Sequence, residues 1–297
     1  MEATRRERIR KWATRGVNVL WGLAVAALGY VAAQVLLIAT FRIPSDSMAP
    51  TLLRGDVVLV WKPTVGARLF DVFAALRGEE VDIRRLPGWR EIRRNDVLVF
   101  NFPYAEWDRW DRMEMQMDKY YIKRCIALPG DTLYIADGIY QIGDTGLPVG
   151  NVESQKSIMR FDPAHIPAKQ YYTLPFDSLL GWNIRDFGPM YIPAKGDSIP
   201  MNRIHYLLYR KLIEWEQHDG LTWHDGGAWL RGRRMAGYRF EHNYYFMGGD
   251  NCMNSVDSRY WGLIPEEFMV GRAALILKST DPRSGKLRLN RLCKQIE

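Results

Sequence analysis

No charged side chain interrupts the chain between Arg15 and Arg42. The segment GVNVLWGLAVAALGYVAAQVLLIATF, residues 16–41, holds 26 residues, and its clearly polar side chains are Asn18, Gln34 and Thr40. As a helix it would reach about 39 Å, against a hydrocarbon core about 30 Å thick. A soluble core helix of that length would keep a polar face. A cleaved leader has a shorter apolar stretch followed by an A-x-A site, and none is evident here. Residues 16–41 are therefore expected to form a transmembrane helix.

Charge sets the expected orientation. Residues 1–15 carry six Lys or Arg, whereas only Arg42 follows the span directly. The positive-inside rule makes 1–15 a cytoplasmic basic tail and places everything from residue 42 outside, as in a single-pass protein. Of 41 basic and 34 acidic residues, seven and two fall in residues 1–42, which thus hold five of the seven net positive charges. The remainder has no basic excess of the kind that tracks phosphates, so no nucleic-acid partner is expected. Three cysteines, Cys125, Cys252 and Cys293, are too few for a disulfide scaffold. Whether Cys125 and Cys252 pair stays open.

Beyond the span, strand-like runs dominate: 56–61, 96–102, 120–128, 131–137, 244–249 and 271–277. They are rich in β-branched and aromatic residues and bounded by Gly, Pro, Asp or Asn. One helix breaks the pattern, NRIHYLLYRKLIEWEQ at 202–217, with Ile204, Leu207, Leu208, Leu212 and Trp215 on one face and Asn202 as its cap. The fold class is mainly β: an antiparallel core with an inserted α+β subdomain, preceded by one transmembrane helix. The strand-like runs fall in 42–139 and 244–279, the stretch 140–243 between them reads as inserted, and the basic tail at 280–297 is expected to be poorly ordered. A second mixed stretch, 62–94, also reads as inserted.

Three separated segments carry candidate chemistry: FRIPSDSMAPTLLRGDVVLV (41–60), YYIKRCIALPGDTL (120–133) and GGDNCMNSVDSRYWGLIPEE (248–267). In order, behind an apolar anchor, they resemble the blocks P-S-x-S-M-x-P-T-L, R-G-D, Y-I-K-R-x-x-x-L-P-G-D and G-D-N-x-x-N-S-x-D-S-R-Y-W-G of signal peptidase I, the S26 family of Ser–Lys proteases. The resemblance covers roughly 41–60, 95–137 and 244–277, and implies a catalytic core of 42–139 with 244–279, a cap-like insert at 140–243, and an inner-membrane protein with its catalytic domain in the periplasm. The Tyr-Ile-Pro and Gly-Asp pieces at 191–197 resemble the Bacteroidetes-type branch.

That resemblance implies a membrane-bound serine endopeptidase that removes signal peptides from exported preproteins after Ala-x-Ala. Its partners would be those signal peptides, the lipid bilayer and the protein export machinery. It implies Ser47 as nucleophile and Lys123 as general base, with Ser45 and the Ser47 backbone N–H forming the oxyanion hole. Ser255 would orient the lysine, and Asp257 and Arg259 would form a supporting ion pair. Ile43, Pro44, Met48, Tyr121 and Ile122 would line shallow pockets for small side chains. The chemistry is coherent: a serine hydroxyl needs a base, and a lysine serves only when burial lowers its pKa from about 10.4. Arg124, next to Lys123 on a strand, would point to the opposite face.

Two departures from the family pattern stand out. Asp46 replaces the usual Gly between the motif serines, and a carboxylate there opposes an oxyanion unless it points away. Cys252 and Met253 replace Arg and Asp in the third block.

Taken singly, each motif has a plainer reading. A Pro-Ser-Asp-Ser run is ordinarily a turn, Lys123 a solvated strand residue, and Asp257–Arg259 a surface pair worth little. Gly55-Asp56 and Gly130-Asp131 read as turn chemistry even within the motif. The five histidines, His165, His205, His218, His224 and His242, lie outside the matched blocks. No metal-ligand spacing appears, so no metal and no cofactor are expected. The alternative is a membrane-anchored binding protein on a catalytically decayed scaffold of the same kind. A self-cleaving Ser–Lys repressor would need a DNA-binding domain where the apolar span lies.

Overall fold

A computed structural model describes residues 2–297 except 72, 75, 76, 78–80 and 144, with side chains from residue 10 onward. Parts of the 1–15 tail, the 62–94 stretch and the 140–243 insert thus lie outside the described residues.

The first element is a helix, Glu2–Leu36. Its Arg10–Leu36 portion is long and apolar enough to cross a membrane, with mean hydropathy 1.9 and no residue buried against the rest of the chain. The helix thus begins upstream of residue 16 and stops short of 41. Residues Ile38–Arg42 instead form a strand paired antiparallel with Asp56–Trp61. Hydropathy cannot separate the two conformations, but Ile38, Thr40 and Phe41 are β-branched or aromatic and favour the pleated one. Lys62 Nζ donates to the carbonyls of Gln34 (2.6 Å) and Val35 (3.1 Å). It places a cation on otherwise unpaired carbonyls at the negative end of the helix dipole.

The large sheet is antiparallel throughout. Its order is Ile38–Arg42, Asp56–Trp61, Met269–Ser279, Val97–Phe102, Gln116–Ala127, Tyr244–Gly248 and Ile264–Pro265, and the short strand Lys294–Gln295 also pairs with Met269–Ser279. All six strand-like runs of the soluble part lie in strands. Side chains alternate between its faces. Leu98, Phe100 and Phe102 enter the larger apolar cluster, and Val97 and Val99 join Val58, Val60, Met48 and Leu52 in a smaller one. The central strands are therefore covered on both sides, which explains their nearly unbroken apolar runs.

A second sheet joins Thr132–Ala136 to Ile139–Ile142 on one side and Phe187–Tyr191 on the other. It crosses residue 139, and the larger cluster runs from Phe246 and Phe268 into Tyr209, Ile213 and Tyr238 of the insert. Core and insert share one hydrophobic interior. The predicted cap helix is Arg203–Gln217, with Asn202 Oδ1 accepting from His205 N at 2.8 Å. Of the five residues marked for its inner face, Leu208 and Leu212 are buried, Leu207 and Trp215 pack against the core, and Ile204 is exposed. The buried face is wider than the aliphatic stripe and takes in Tyr206, Tyr209, Ile213 and Glu216. Tyr209 buries its ring and donates its hydroxyl to the Tyr191 carbonyl at 2.8 Å.

The C-terminal segment is ordered by contact, contrary to the expectation of a loose tail. Ile296 is buried in the smaller cluster, and Arg291 forms a buried ion pair with Asp56 at 2.5 Å. A basic composition hides this, because the arginine's partner lies far away in sequence.

Candidate active site

The chain leaves the Ile38–Arg42 strand at Ile43, whose N–H donates to the Asp56 carbonyl at 2.8 Å while Gly55 N returns a bond to the Ile43 carbonyl at 2.9 Å. These two bonds close a loop over residues 43–56 that carries Ser47. The Asn251 backbone N–H donates to the Ser47 carbonyl at 3.0 Å, and Asn251 Nδ2 donates to the Asp46 carbonyl at 3.1 Å. The Asp46 carboxylate accepts from Arg54 N at 3.3 Å, so it is turned toward its own loop.

Lys123 lies in the Gln116–Ala127 strand opposite Leu98. Its Nζ is 2.6 Å from Ser47 Oγ. Only 3% of the residue is exposed. Burial pulls its pKa down to about 8; Arg259 pushes the same way, while Asp257 and Asp250 oppose it. A lysine in this state can shed its proton near neutral pH and accept one from the serine. Ser45 Oγ lies 3.4 Å from Ser47 Oγ on the exposed side of the loop.

The third block supports this pair from below. Asp257 and Arg259 are fully buried and bonded through two atoms each, with N–O distances of 2.8 and 2.9 Å. This is a core ion pair, not a surface one. Burial works against the Asp257 charge, but Arg259 and the Gly249 N–H overcome it and hold the pKa below the usual carboxylate range. Arg259 also donates to the carbonyls of Cys252 and Ser255, and Asp257 accepts from Gly249 N at 3.0 Å. The pair therefore fixes the backbone of 249–255 that touches Ser47. Gly249 must be glycine: a Cβ there would lie 2.1 Å from Ser255 Oγ and 2.7 Å from the Ser47 carbonyl.

Ser255 is brought to this locus, but its Oγ is buried without a hydrogen-bond partner among the described residues. The bond to Lys123 that the sequence pattern implies is not formed in this state. The five presumptive pocket residues divide between the two faces of the sheet. Ile43 and Met48 are almost completely buried in the smaller cluster, with Ile122 packed against it. Tyr121 faces the other way, stacked on Phe102 at 4.3 Å and edge-on to Trp261 at 5.5 Å. Pro44 is exposed. Strand alternation imposes the separation of Tyr121 from Ile122.

Sequence reasoning gave Arg124, Asp56 and Asp131 only a strand or turn role and missed the ion pairs they form. Arg124 does point away from Lys123, but into the protein. Its guanidinium binds both carboxylate oxygens of Asp250 at 2.7 Å. Asp56 and Asp131 do cap their turns, accepting from Leu53 N and Leu128 N at 2.8 Å. Each also holds an arginine, Arg291 and Arg94 respectively. The signal available was that Asp250, Asn251 and Arg124 sit inside the matched blocks. Cys125 and Cys252 are both free and buried. Cys252 packs with Ile158, Ile166, Ile184 and Tyr260, so the apolar substitution in the third block meets apolar residues of the insert.

Among the described residues no group of His, Cys, Asp and Glu is arranged to hold a metal ion. A mainly β frame presenting a serine hydroxyl to a buried lysine is the arrangement of a serine peptidase. The model of the family described as signal peptidase, peptidase S26, matches residues 16–278. The chain belongs to that family and is a serine peptidase. It is 28% identical over 257 residues to signal peptidase I of Buchnera aphidicola subsp. Schizaphis graminum, covering 83% of this chain and 70% of that one. With signal peptidase I of Pseudomonas aeruginosa it shares 26% identity over 273 residues, 84% of this chain and 69% of the relative. A solved signal peptidase I from Enterococcus faecalis is 18% identical and aligns over 61% of this chain and 96% of its own, with a TM-score of 0.29.

Proposed function

We propose that this peptidase is a membrane-anchored endopeptidase that removes signal peptides from exported preproteins through a Ser47–Lys123 dyad. The observation that carries the reading is the 2.6 Å contact between Lys123 Nζ and Ser47 Oγ, with the lysine buried and its pKa lowered. In its neutral form Lys123 takes the Ser47 proton as Oγ attacks the scissile carbonyl. The tetrahedral oxyanion is met by the Ser45 hydroxyl and the Ser47 N–H. Donors so placed contribute about 3–4 kcal/mol each in other serine proteases. Lys123 then returns the proton to the leaving amine, and water, deprotonated by the same lysine, releases the acyl group. Ser255, whose Oγ has no hydrogen-bond partner among the described residues, would bond Lys123 and fix its direction once substrate closes the site.

The N-terminal helix would hold the enzyme in the inner membrane with its basic end in the cytoplasm and its catalytic face in the periplasm. Ser47 follows the end of that helix, Leu36, by eleven residues. A bond close to a membrane-embedded leader is then within reach, beside the export machinery. For the small residues of Ala-x-Ala, exposed Pro44 offers the contact nearest Ser45 and Ser47, with Ile43, Met48 and Ile122 in the buried cluster and Tyr121 on the other face of the sheet.

The test is cleavage of a preprotein bearing an Ala-x-Ala site by the detergent-solubilised full chain, beside Ser47→Ala and Lys123→Ala. Cleavage after the second Ala by the wild type alone supports the reading. An inert wild type would move the decayed binding protein to the front, and a variant with full activity would show that the peptidase uses other residues.

A further inference from the structure

The loop that carries Ser47 is gripped on two sides. On one side is Asn251, bonded to the Asp46 and Ser47 carbonyls. On the other is the C-terminal segment, which no reading of the active site uses. Arg291 Nη2 donates to the Thr51 carbonyl at 2.8 Å and to Asp56 Oδ2 at 2.5 Å, while its Nε donates to Asp56 Oδ1 at 3.1 Å. Arg288 donates to the Arg54 carbonyl at 3.1 Å. Arg124 ties the two sides together: it binds Asp250, the Thr51 hydroxyl at 3.2 Å and the Glu297 carbonyl at 2.8 Å. Ile296 enters the same apolar cluster as Met48 and Leu52, the buried residues of the loop itself.

We propose that the segment 288–296 is a clamp that positions the nucleophile loop, with Arg291 as its main positioning residue. The proposal rests on the reading of Ser47 as nucleophile and concerns how that residue is held. The Ser47 Oγ and N–H must be held to within about 0.5 Å of their productive positions against the scissile carbonyl, and their loop is a turn with no sheet partner of its own. Asp56 is completely buried. Burial opposes its charge, yet Arg291, Ser279 and the Leu53 N–H hold its pKa down. The clamp therefore stays charged at neutral pH. One guanidinium thus reads both the end of the loop, at Asp56, and its middle, at Thr51.

Arg291→Ala would strand a buried carboxylate and risks unfolding the chain. The informative variant is therefore the paired change Asp56→Asn with Arg291→Met, which removes both charges together, with Arg291→Lys as the conservative control. Two measurements on the detergent-solubilised full chain decide the matter: backbone hydrogen exchange of residues 46–54 by mass spectrometry, and kcat and KM for an Ala-x-Ala peptide. The clamp predicts faster exchange confined to that loop. It also predicts a kcat lower by about ten- to a hundredfold at unchanged KM. Arg291→Lys should fall between wild type and the pair. Unchanged exchange, or a loosened loop with wild-type kcat, overturns the clamp. An inert wild type whose loop still loosens in the variant overturns the Ser47 reading and supports the mechanical one.

Discussion

Ser47 and Lys123 stand 76 positions apart in the chain and 2.6 Å apart in space. The loop that carries the serine is not part of the large sheet; the strand that carries the lysine is central to it. A serine held on a loop is thus set against a lysine held in the sheet, and the groups around both give the following expectations.

Lys123 works as a base only when neutral, and its pKa is lowered to about 8 by burial. The rate should rise with pH through that value, and at mildly acidic pH the protonated amine should leave the enzyme nearly inactive. A kcat profile that is flat across this range would rule Lys123 out as the base.

Gly249 has no room for a side chain, because a Cβ would meet Ser255 Oγ and the Ser47 carbonyl. Gly249→Ala should push the serine loop away from Lys123 and lower kcat by about a hundredfold. Circular dichroism should still report a folded chain. Wild-type turnover in this variant would show that the loop position does not matter.

Arg259 lies opposite Asp257 with neither side chain exposed. Removing one partner leaves a buried unpaired charge, which costs about 3–5 kcal/mol. Arg259→Ala should lower the thermal midpoint by roughly 6–20 °C. It should also free the 249–255 backbone that the guanidinium holds. A shift of a degree or two would reduce the pair to a minor contributor.

His242 bonds Glu267 at 2.6 Å and lies against Trp215 of the cap helix, at 4.8 Å between ring centroids. The Glu267 bond raises its pKa over the opposing effect of burial. Its contribution to stability is thus complete below the unfolded value, about 6.5, and fades as pH climbs through the raised folded value. Unfolding midpoints of wild type and His242→Gln should differ most at pH 6 and converge at alkaline pH. Parallel curves would remove His242 from the account.

The insert explains a substitution that motif comparison leaves bare. Where the family pattern has a charged pair, Cys252 packs with Ile158 and Ile184, and the Met253 carbonyl accepts from Gln170. A charge at 252 would be buried unpaired against those isoleucines, so the apolar residue follows from the way the insert docks.

What the sequence determined by itself was whatever is local or carried by a run of residues. The apolar helix follows from the absence of charge between residues 15 and 42, the strands from period and composition, and the cap helix from its spacing and Asn202. Ser47, Lys123, Ser255, Asp257 and Arg259 were legible because each sits in a motif. Tertiary structure decided the rest. It turned Ile38–Arg42 into a strand, because a partner strand at Asp56–Trp61 was there to pair with it. It widened the buried face of the cap helix to take in Tyr206 and Tyr209, split Tyr121 from Ile122 across the sheet, and left Ser255 Oγ without a hydrogen-bond partner among the described residues. It also folded a basic tail back onto the serine loop through Arg291 and Asp56, 235 positions apart. The physical reason is common to all of these. Propensity and periodicity act within a few residues, whereas the partner of a buried charge and the depth of a lysine in the core are fixed only when distant segments close around them.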